Sequence, residues 1–385
     1  MTAHWRTTLR RGLLGGIALA AVALAGLGRG EEAGTAPAPR AEGDAVSAAA
    51  APAPGGLRLL PIVTPAYRPE TSWLLGGAVV LIRQSGPDLG GRDSQLQVLS
   101  AVTALGQYVV AVRPSWYLHQ DAVQLVGSLE VSRFPDYFWG IGNGAASSAK
   151  EPYTPVYLLA DLAPLFRVAP GLYLGPSLRL QHASMKRVAP DGQLASGSVT
   201  GAEGGTTAQL GASAEWDTRD STLYPRSGSL LRVDLRRADP ALGSDFEFGL
   251  MRLDARRFFA TGAPGHVLAL QAVLELRSGD PPFYDTGKLG GGELMRGWYA
   301  GRYRDRQLWS AQAEYRLPLV WRMGAVAFGS AGAVAHDPSG LADTLRLAGG
   351  GGLRVAFSDR VPINLRLDVA YGSATSVYFG LGEAF

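Results

Sequence analysis

The amino-acid sequence predicts an all-β protein: a transmembrane antiparallel β-barrel of about 16 strands with long extracellular loops and short periplasmic turns. Three observations support this fold class. Segments in which apolar and polar residues alternate with period two fill the chain from Leu57 to Phe385. Most segments run about 9–15 residues, which is longer than the usual strand of a soluble sheet. The chain also begins with a pattern typical of a secretory signal peptide.

The signal-peptide pattern covers residues 1–30. Three arginines between residues 6 and 11 precede an apolar run, Leu13 to Leu27, that is rich in Ala, Gly and Leu. The alternative is a retained membrane anchor. Residues 31–56 are rich in Ala, Pro and Gly and cannot bury a core, so we expect a disordered linker there. The barrel is then expected over 57–385.

The composition excludes several classes of function. The chain has no cysteine, which excludes disulfides, thiolate metal sites and cysteine nucleophiles. The formal charge of +3 depends on four arginines in the first 30 residues, because without them 32 basic residues face 33 acidic ones. The basic pI therefore gives no reason to expect a nucleic-acid partner.

Alternation is clearest at residues 208–213, 231–236, 309–317 and 363–369. In each segment one face is apolar and the other carries charged or amide side chains, as in a barrel whose polar face lines a lumen. A soluble double sheet or propeller is the alternative, and the even number of long strands argues against it. The sixteen predicted strands are approximately 59–67, 72–84, 94–105, 107–119, 123–134, 154–168, 172–186, 206–217, 229–239, 246–259, 266–278, 303–319, 323–335, 346–357, 363–373 and 377–385.

The lengths of the connections support a barrel independently. If the first strand rises from the periplasm, the long connections all fall on the extracellular side, at 135–153, 187–205, 279–302 and 336–345. Short connections at 169–171, 262–265 and 358–360 then fall on the periplasmic side as tight turns. The connection at 85–93 is an exception, because it is long for the periplasmic side.

The longest of these loops has a composition suited to folding back onto the protein. Gly290, Gly291, Gly292 and Gly297 allow tight backbone turns. The run from Met295 to Trp298 places one cation, an arginine, between bulky apolar residues. A loop of this size in a compact protein is usually either functional or disordered. We therefore expect this loop to dock against the rest of the chain.

Four motifs carry a family resemblance. Tyr67 to Thr71 opens the barrel region, and Phe134 to Asn143 is similar to a "fyGiGn" segment. Asp217 to Gly228 resembles an Asp-x-Arg-Asp…Pro-x-x-Gly turn, and Met295-Arg296-Gly297-Trp298 resembles a Val-Arg-Gly-Phe motif. In combination, over residues 57–385, they resemble the BamA/TamA family of outer-membrane proteins, also called bacterial surface antigens.

The resemblance implies that the sixth outer loop enters the lumen and that its arginine pairs with acidic groups on neighbouring strands. Arg296 is then the candidate lock of the loop. Glu314, which alternation places inside, is the first candidate counter-ion, and Asp368 is the second. Ser330 stands where the family has an aspartate, so this chain departs from the usual ion pair. The alternative is that Arg296 is a solvated loop residue.

The last predicted strand, 377–385, resembles the β-signal by which such barrels are recognised by the barrel assembly machinery. Apolar residues recur at every second position back from Phe385, including Phe379 and Leu381. Glu383 departs from this pattern, because it falls in the apolar register.

The resemblance implies translocation or insertion of protein, or of lipid, at the bacterial outer membrane. The short linker leaves no room for POTRA domains, so a stand-alone barrel is expected. Expected partners are outer-membrane lipid and lipopolysaccharide, the assembly machinery for the chain's own insertion, and a polypeptide substrate or periplasmic protein. The alternative is a passive or plugged pore, or a structural surface protein.

No enzymatic activity, metal or cofactor is expected. The five histidines are scattered, and none forms a metal-binding pair. His182 and Ser184 are the one arrangement with catalytic potential, since alternation places both on the lipid face near the outer end of a strand. They resemble the His/Ser arrangement of outer-membrane phospholipase, which is the less favoured alternative.

Overall fold

The computed structural model describes residues 57–83, 94–221, 224–358 and 361–385. The predicted signal peptide and linker lie outside the described residues, as does the connection at 85–93. Of the predicted turn at 358–360, only the first residue is described. In the parts of the chain that are described, no helix is long and apolar enough to cross a membrane.

Nearly all the regular structure is β-strand, since the helices of the described residues are short 3₁₀ turns. The strands are β1 (Leu57–Arg68), β2 (Ser72–Arg83), β3 (Ser94–Thr103), β4 (Tyr108–Leu118), β5 (Val123–Arg133), β6 (Asp136–Phe138), β7 (Glu151–Ala169), β8 (Leu172–Val188), β9 (Gly204–Asp217), β10 (Gly228–Ala238), β11 (Phe248–Ala260), β12 (Val267–Gly279), β13 (Gly287–Leu289), β14 (Tyr303–Asp305), β15 (Gln307–Pro318), β16 (Met323–Ala335), β17 (Arg346–Ser358), β18 (Val361–Tyr371) and β19 (Thr375–Leu381). The 3₁₀ turns are Ser147–Ala149, Pro240–Leu242, Phe283–Asp285 and Pro338–Ala342.

Sixteen long strands form one closed antiparallel barrel. Each long strand pairs with the next one along the chain, and β1 meets β19 to close the barrel. The short β6 pairs with β7. β13 and β14 pair only with each other and form a hairpin within the connection from β12 to β15. The β-barrel fold predicted from the sequence is confirmed.

Strand β12 illustrates how the alternating sequence produces the barrel wall. Gln271, Glu275 and Arg277 are buried and line the interior. Leu270 and Leu274 occupy the intervening positions and therefore face outward, because successive side chains of a strand point to opposite faces. The wall is apolar outside and polar inside.

The two ends of the barrel differ. The long connections lie at one end, which we call the loop end: 134–150, 189–203, 239–247, 280–306 and 336–345. Four short connections lie at the other end, the turn end: 119–122, 170–171, 261–266 and 319–322. The connection at 218–227 is also at the turn end and is an exception, because it is about as long as 239–247. Phe138, Tyr153 and Phe283 pack edge to face at the loop end, with ring centroids 5.2 and 5.3 Å apart. The loops thus form a packed roof.

Residues 303–305 differ from the sequence prediction. They were expected to begin a long barrel strand, but they form β14 and pair with β13 in the loop. The reason is apolar packing, since Tyr303 is buried in the same cluster as Trp298 and Leu289. The barrel strand begins at Gln307 instead.

Candidate functional site

The connection between β12 and β15 folds into the barrel. Leu289 and Met295 are fully buried there, and Trp298, which is 9% exposed, packs in the same cluster. They pack against three residues of the inner wall, which are Val273, Leu308 and Val334 on β12, β15 and β16. The apolar residues on either side of the arginine therefore hold this loop against the inside of the wall.

Three of the four glycines expected to turn this loop have a left-handed backbone. The φ angle is +108° at Gly290, +88° at Gly291 and +104° at Gly297. At Gly297 space is also short, because an added Cβ would lie 2.7 Å from the carbonyl carbon of Tyr371. Gly292 has a different role: an added Cβ there would lie 3.4 Å from the ring of Tyr378.

Arg296 is 1% exposed and lies between two carboxylates. Its Nη1 donates to Asp368 Oδ2 at 2.7 Å, and its Nη2 donates to Glu314 Oε2 at 2.7 Å. The guanidinium carbon also lies 3.5 Å from the centroid of the Phe328 ring. A buried cation is costly unless it is paired, and these charge-assisted bonds supply the pairing. The structure thus brings Arg296 to both candidate counter-ions at once.

These residues belong to a larger charged group in the lumen, which we call the lock cluster. It consists of four arginines and three carboxylates: Arg296, Arg316, Arg354, Arg366, Glu314, Asp368 and Glu383. Each of these side chains is at most 5% exposed. The cluster therefore carries one more positive than negative charge and is shielded from water.

Arg316 and Arg354 connect the carboxylates of the lock cluster. Arg316 Nε donates to Glu314 Oε1 at 2.9 Å. Arg354 donates to Asp368 Oδ1 at 2.5 Å and to Glu383 Oε2 at 2.8 Å. Four members of the lock cluster were not predicted as site residues: Arg316, Arg354, Arg366 and Glu383. For the three arginines, their inward-facing positions on neighbouring strands were the available signal.

Ser330 does not take part in this cluster; its Oγ lies 3.5 Å from the carbonyl oxygen of Ala348. Phe328, two residues earlier on β16, contacts Arg296 instead. Gly350 and Gly352 face inward on β17 and leave room for these side chains. An added Cβ on Gly350 would lie 2.8 Å from the Phe328 ring, and one on Gly352 would lie 3.0 Å from Arg354. Gly350 and Gly352 thus mark the place on β17 where side chains of Phe328 and Arg354 pass close to the backbone.

Strands β1 and β19 close the barrel through one pair in register, Tyr67 opposite Phe379. By comparison, β18 and β19 share seven pairs. We call the β1–β19 boundary the seam. It is the most weakly paired boundary between neighbouring long strands of the described barrel.

The loop contacts both sides of the seam. The Gly297 N–H donates to the Tyr378 hydroxyl on β19 at 3.1 Å. The Ala300 N–H donates to Glu70 Oε1, in the connection between β1 and β2, at 2.9 Å. Burial raises the pKa of Glu70, and the hydrogen bond from Ala300 opposes this rise. The loop therefore bridges the seam as well as filling part of the lumen.

The last strand ends at Leu381, which corrects the prediction of one strand over 377–385. Gly382 has φ +80° and turns the chain away from the wall. Had the strand continued, Glu383 would have faced the lipid, where a charged group is destabilising. Instead Glu383 is buried against Arg354 inside the barrel.

The predicted β-signal residues are therefore divided between two environments. Phe379 and Leu381 alternate with inward-facing neighbours on β19 and face outward, as the pattern predicts. Phe385 does not follow the pattern. It is 8% exposed and packs on Phe258 and Ala269 inside the barrel.

A second buried arginine of the loop was missed at the sequence level. Arg304 is fully buried and donates to the carbonyls of Gly301 and Tyr137 at 3.2 and 3.3 Å. It also donates to the Tyr153 hydroxyl at 3.4 Å. Lys288 lies directly opposite in the hairpin, and burial, with Arg304 as the second cause, lowers the pKa of Lys288 to about 8. Through its hydrogen bonds to Tyr137 and Tyr153, Arg304 holds the hairpin of β13 and β14 against β6 and β7.

The candidate catalytic pair lies on the outer face, as alternation predicts. His182 Nδ1 lies 3.0 Å from Thr206 Oγ1 on the neighbouring strand. The imidazole thus contacts Thr206, which is not part of the proposed His/Ser arrangement. Ser184 lies two residues further along β8. Among the residues that the structure describes, no group of three or more His, Cys, Asp or Glu side chains could hold a metal ion.

Comparisons with known proteins agree with this geometry. A family model described as the Omp85 superfamily domain matches residues 111–385. No curated protein matches the sequence. Among solved structures, the chain resembles a crystal structure of BamA from Haemophilus ducreyi lacking POTRA domains 1-3, with TM-score 0.58 and 15% identity over 84% of this chain and 70% of that one.

Two further structures show the same fold. CdiB from Acinetobacter baumannii matches with TM-score 0.52 and 13% identity, over 85% of this chain and 59% of that chain. CdiB from Escherichia coli matches with TM-score 0.55 and 10% identity, over 83% and 62% respectively. The chain spans less than two thirds of either CdiB structure.

The family match covers more than half of the sequence, and the structural matches extend over most of the barrel. The resemblance to BamA-type barrels expected from the motifs is confirmed, and the fold indicates an outer-membrane protein. The chain belongs to the Omp85 superfamily.

Proposed function

We propose that this chain opens a lateral path at the seam, through which polypeptide or lipid is moved or inserted at the outer membrane. The observation that carries the proposal is that the loop at 280–306 binds both sides of the seam and is anchored in the lumen by Arg296. In this proposal the loop end faces the outside of the cell. The loop then controls whether the seam opens.

The energetics of the seam support this role. A strand edge with unpaired backbone groups is a template for pairing with another extended chain. β1 is 12 residues long but meets β19 through one pair, so little pairing must be broken to expose the edge. The contacts of Gly297 and Ala300 then contribute much of what holds the two strands together.

Partners follow from the same proposal. The outward-facing apolar residues contact outer-membrane lipid and lipopolysaccharide. A polypeptide with an exposed strand edge is the proposed substrate, and a periplasmic protein is proposed to deliver it. The chain itself is proposed to enter the membrane through the barrel assembly machinery and, after export, to have lost the predicted signal peptide.

A disulfide across the seam tests the proposal. Residues directly opposite in an antiparallel pair have Cβ atoms about 4.5–5.5 Å apart, so a small shift of the backbone allows a disulfide to form. Tyr67→Cys with Phe379→Cys gives such a pair in a chain that has no other cysteine. In liposomes of outer-membrane lipid, the oxidised variant should fail to insert a urea-denatured small outer-membrane barrel into a protease-protected form. Reduction should restore insertion.

The matched control is Met251→Cys with Leu276→Cys, an outward-facing pair between β11 and β12. Oxidation of this pair should leave insertion unchanged, because that boundary is paired along 13 positions. Equal insertion by the oxidised and reduced forms of the seam variant would show that the seam does not open during the reaction.

A plugged pore is the second candidate, favoured by the lumen itself. A cavity of about 580 Å³ lies between the loop and the wall formed by β4 to β12. Charged residues line it: Arg113, Glu130, Asp161, Arg179, Arg232, Asp234, Arg236, Arg252, Glu275, Arg277 and Asp285. A cavity with charged walls favours water and ions. Displacing the loop would widen this cavity into a path through the barrel.

We propose no hydrolytic step for this chain. The contact of His182 with Thr206 gives that imidazole a role in holding two strands together. Hydrolysis of phospholipid by the purified protein that disappears in Ser184→Ala would contradict this view.

A further inference from the structure

The last residues of the described chain leave the barrel wall. Phe385 packs on residues of β11 and β12, yet four barrel strands lie between β19 and β12. A path along the wall would cover about 24 Å, at about 4.8 Å per strand. Residues 382–385 can span at most about 14 Å. The segment Glu383–Phe385, which we call the tail, therefore crosses the lumen at the turn end.

The tail is held by a built site. Glu383 Oε2 accepts from Arg354 Nε at 2.8 Å, and Glu383 Oε1 accepts from Asn364 Nδ2 at 2.7 Å. Two residues later, the Phe385 carbonyl oxygen accepts from Arg316 Nη2 at 3.1 Å. The ring of Phe385 packs against that of Phe258, with centroids 6.4 Å apart. The site thus recognises a carboxylate, a main-chain oxygen and an aromatic ring.

Both arginines of the tail site also hold the partners of Arg296. Arg316 binds Glu314, and Arg354 binds Asp368. When the loop leaves, these two carboxylates lose a cation and attract Arg316 and Arg354 more strongly. Those arginines are then less available to the tail. The net charge leads to the same conclusion. Without Glu383, the lock cluster has a net charge of +2 when Arg296 is docked and +1 when it is absent, so the docked loop increases the attraction on Glu383.

We propose that the tail is an intramolecular ligand that closes the turn end of the lumen, and that its binding is coupled to that of Arg296 through Arg316 and Arg354. Docking of the loop strengthens binding of the tail, and release of either one loosens the other. This inference goes beyond the lateral path proposed above, since it concerns a second closure of the barrel and its link to the first.

Chemical labelling tests the coupling in the full chain. Ala384→Cys introduces the only cysteine at a position that is 6% exposed. A bulky maleimide should label it slowly in detergent micelles, and adding Arg296→Ala should raise the rate at least fivefold, the lower limit of a coupling of about 1 kcal/mol. Arg306→Ala is the control, because Arg306 lies in the same loop but pairs with the exposed Asp280. Equal rates in the Arg296→Ala and Arg306→Ala backgrounds would overturn the coupling.

Direct binding tests the tail site. A chain that ends at Gly382 leaves the site empty, and a fluorescent peptide with the sequence of residues 380–385 should bind it saturably. The same peptide should not bind the full chain. A peptide with Gln in place of its Glu should bind at least tenfold more weakly, because it loses charge-assisted hydrogen bonds. Equal binding to both chains, or indifference to the Gln peptide, would show that no such site exists.

If the truncated chain does not fold, Glu383→Gln in the full chain with Ala384→Cys replaces it. Labelling should then be at least tenfold faster than with Glu383 present, for the same reason. An unchanged rate would overturn the proposal. The labelling and peptide-binding experiments do not depend on polypeptide insertion. Their failure can therefore be distinguished from a failure of the lateral path proposed at the seam.

Discussion

At the scale of single residues, Arg296 determines how the loop is held. A planar guanidinium can donate to two carboxylates in fixed directions and still present a face to an aromatic ring. In this protein the two carboxylates are those of Asp368 and Glu314, and the aromatic ring is that of Phe328. A lysine at this position would supply one point charge and could not make the same set of contacts.

Arg296→Ala should therefore lower the free energy of unfolding by about 3–5 kcal/mol, the usual effect of removing one partner from a buried ion pair. Arg306→Ala removes an arginine from the same loop whose partner Asp280 is exposed, and it should cost about 1 kcal/mol or less. Urea unfolding in detergent, followed by tryptophan fluorescence, measures both. Similar losses in the two variants would contradict a lock at Arg296.

The sequence predicted part of this site, for reasons that differ between residues. Arg296 stands in a recognisable motif, and alternation places Glu314 and Asp368 inside the barrel. Glu383 could not be predicted, because it lies in the lipid-facing register and only the turn at Gly382 brings it into the lumen. Nor could the sequence predict which of several inward-facing arginines would pair with Glu383.

At the scale of elements, strands were predictable wherever one face meets lipid and the other meets the lumen. β15 and β18 show this clearly, because their apolar and polar residues alternate with few exceptions. β14 was not predictable, since its residues pack against the loop rather than against lipid. Alternation reports the two environments of a strand, but it does not report which sheet the strand joins.

The hairpin of β13 and β14 places two cations opposite each other, which is unfavourable for a cross-strand pair. Lys288 and Arg304 are those residues. Burial lowers the pKa of Lys288 from 10.5 to about 8, so its charged form destabilises the folded state. Below pH 8 this penalty is present in full. It disappears as the pH rises from about 8 to 10.5, because the unfolded chain then binds more protons.

Lys288→Met should therefore stabilise the protein most at pH 7 and progressively less toward pH 10. The measurement is the difference in the free energy of unfolding between variant and wild type at each pH. Lys186→Met, which changes an exposed lysine, is the control and should show no such trend. A difference that stays constant between pH 7 and 10 would contradict a destabilising charge at Lys288.

At the scale of the whole molecule, the barrel is obstructed at both ends. Packed loops cover the loop end, and the tail lies across the turn end. Between them the charged cavity of about 580 Å³ remains open along β4 to β12. The sequence predicted a barrel with a docked loop, but not this closure from both sides, because the tail was expected to continue the wall.

Arg296→Ala should raise the conductance of the protein in planar lipid bilayers, since the loop leaves the lumen and the tail loosens with it. Arg306→Ala should retain the conductance of the wild type. An Arg296→Ala variant that folds normally and conducts like the wild type would show that the loop stays in place without its arginine. In that case the apolar packing of Met295 and Trp298 alone would hold it.

The composition of the lock cluster limits the signals to which the barrel can respond. Its members are arginines and carboxylates, and none is a histidine, the side chain that changes charge between about pH 5 and 8. Its burial also protects it from screening by salt. A shift in pH between about 5 and 8, or in salinity, would therefore leave the charges that hold Arg296 unchanged. In the proposed function, an incoming chain releases the loop by offering its own charges to the guanidinium groups or by pulling the strands of the seam apart.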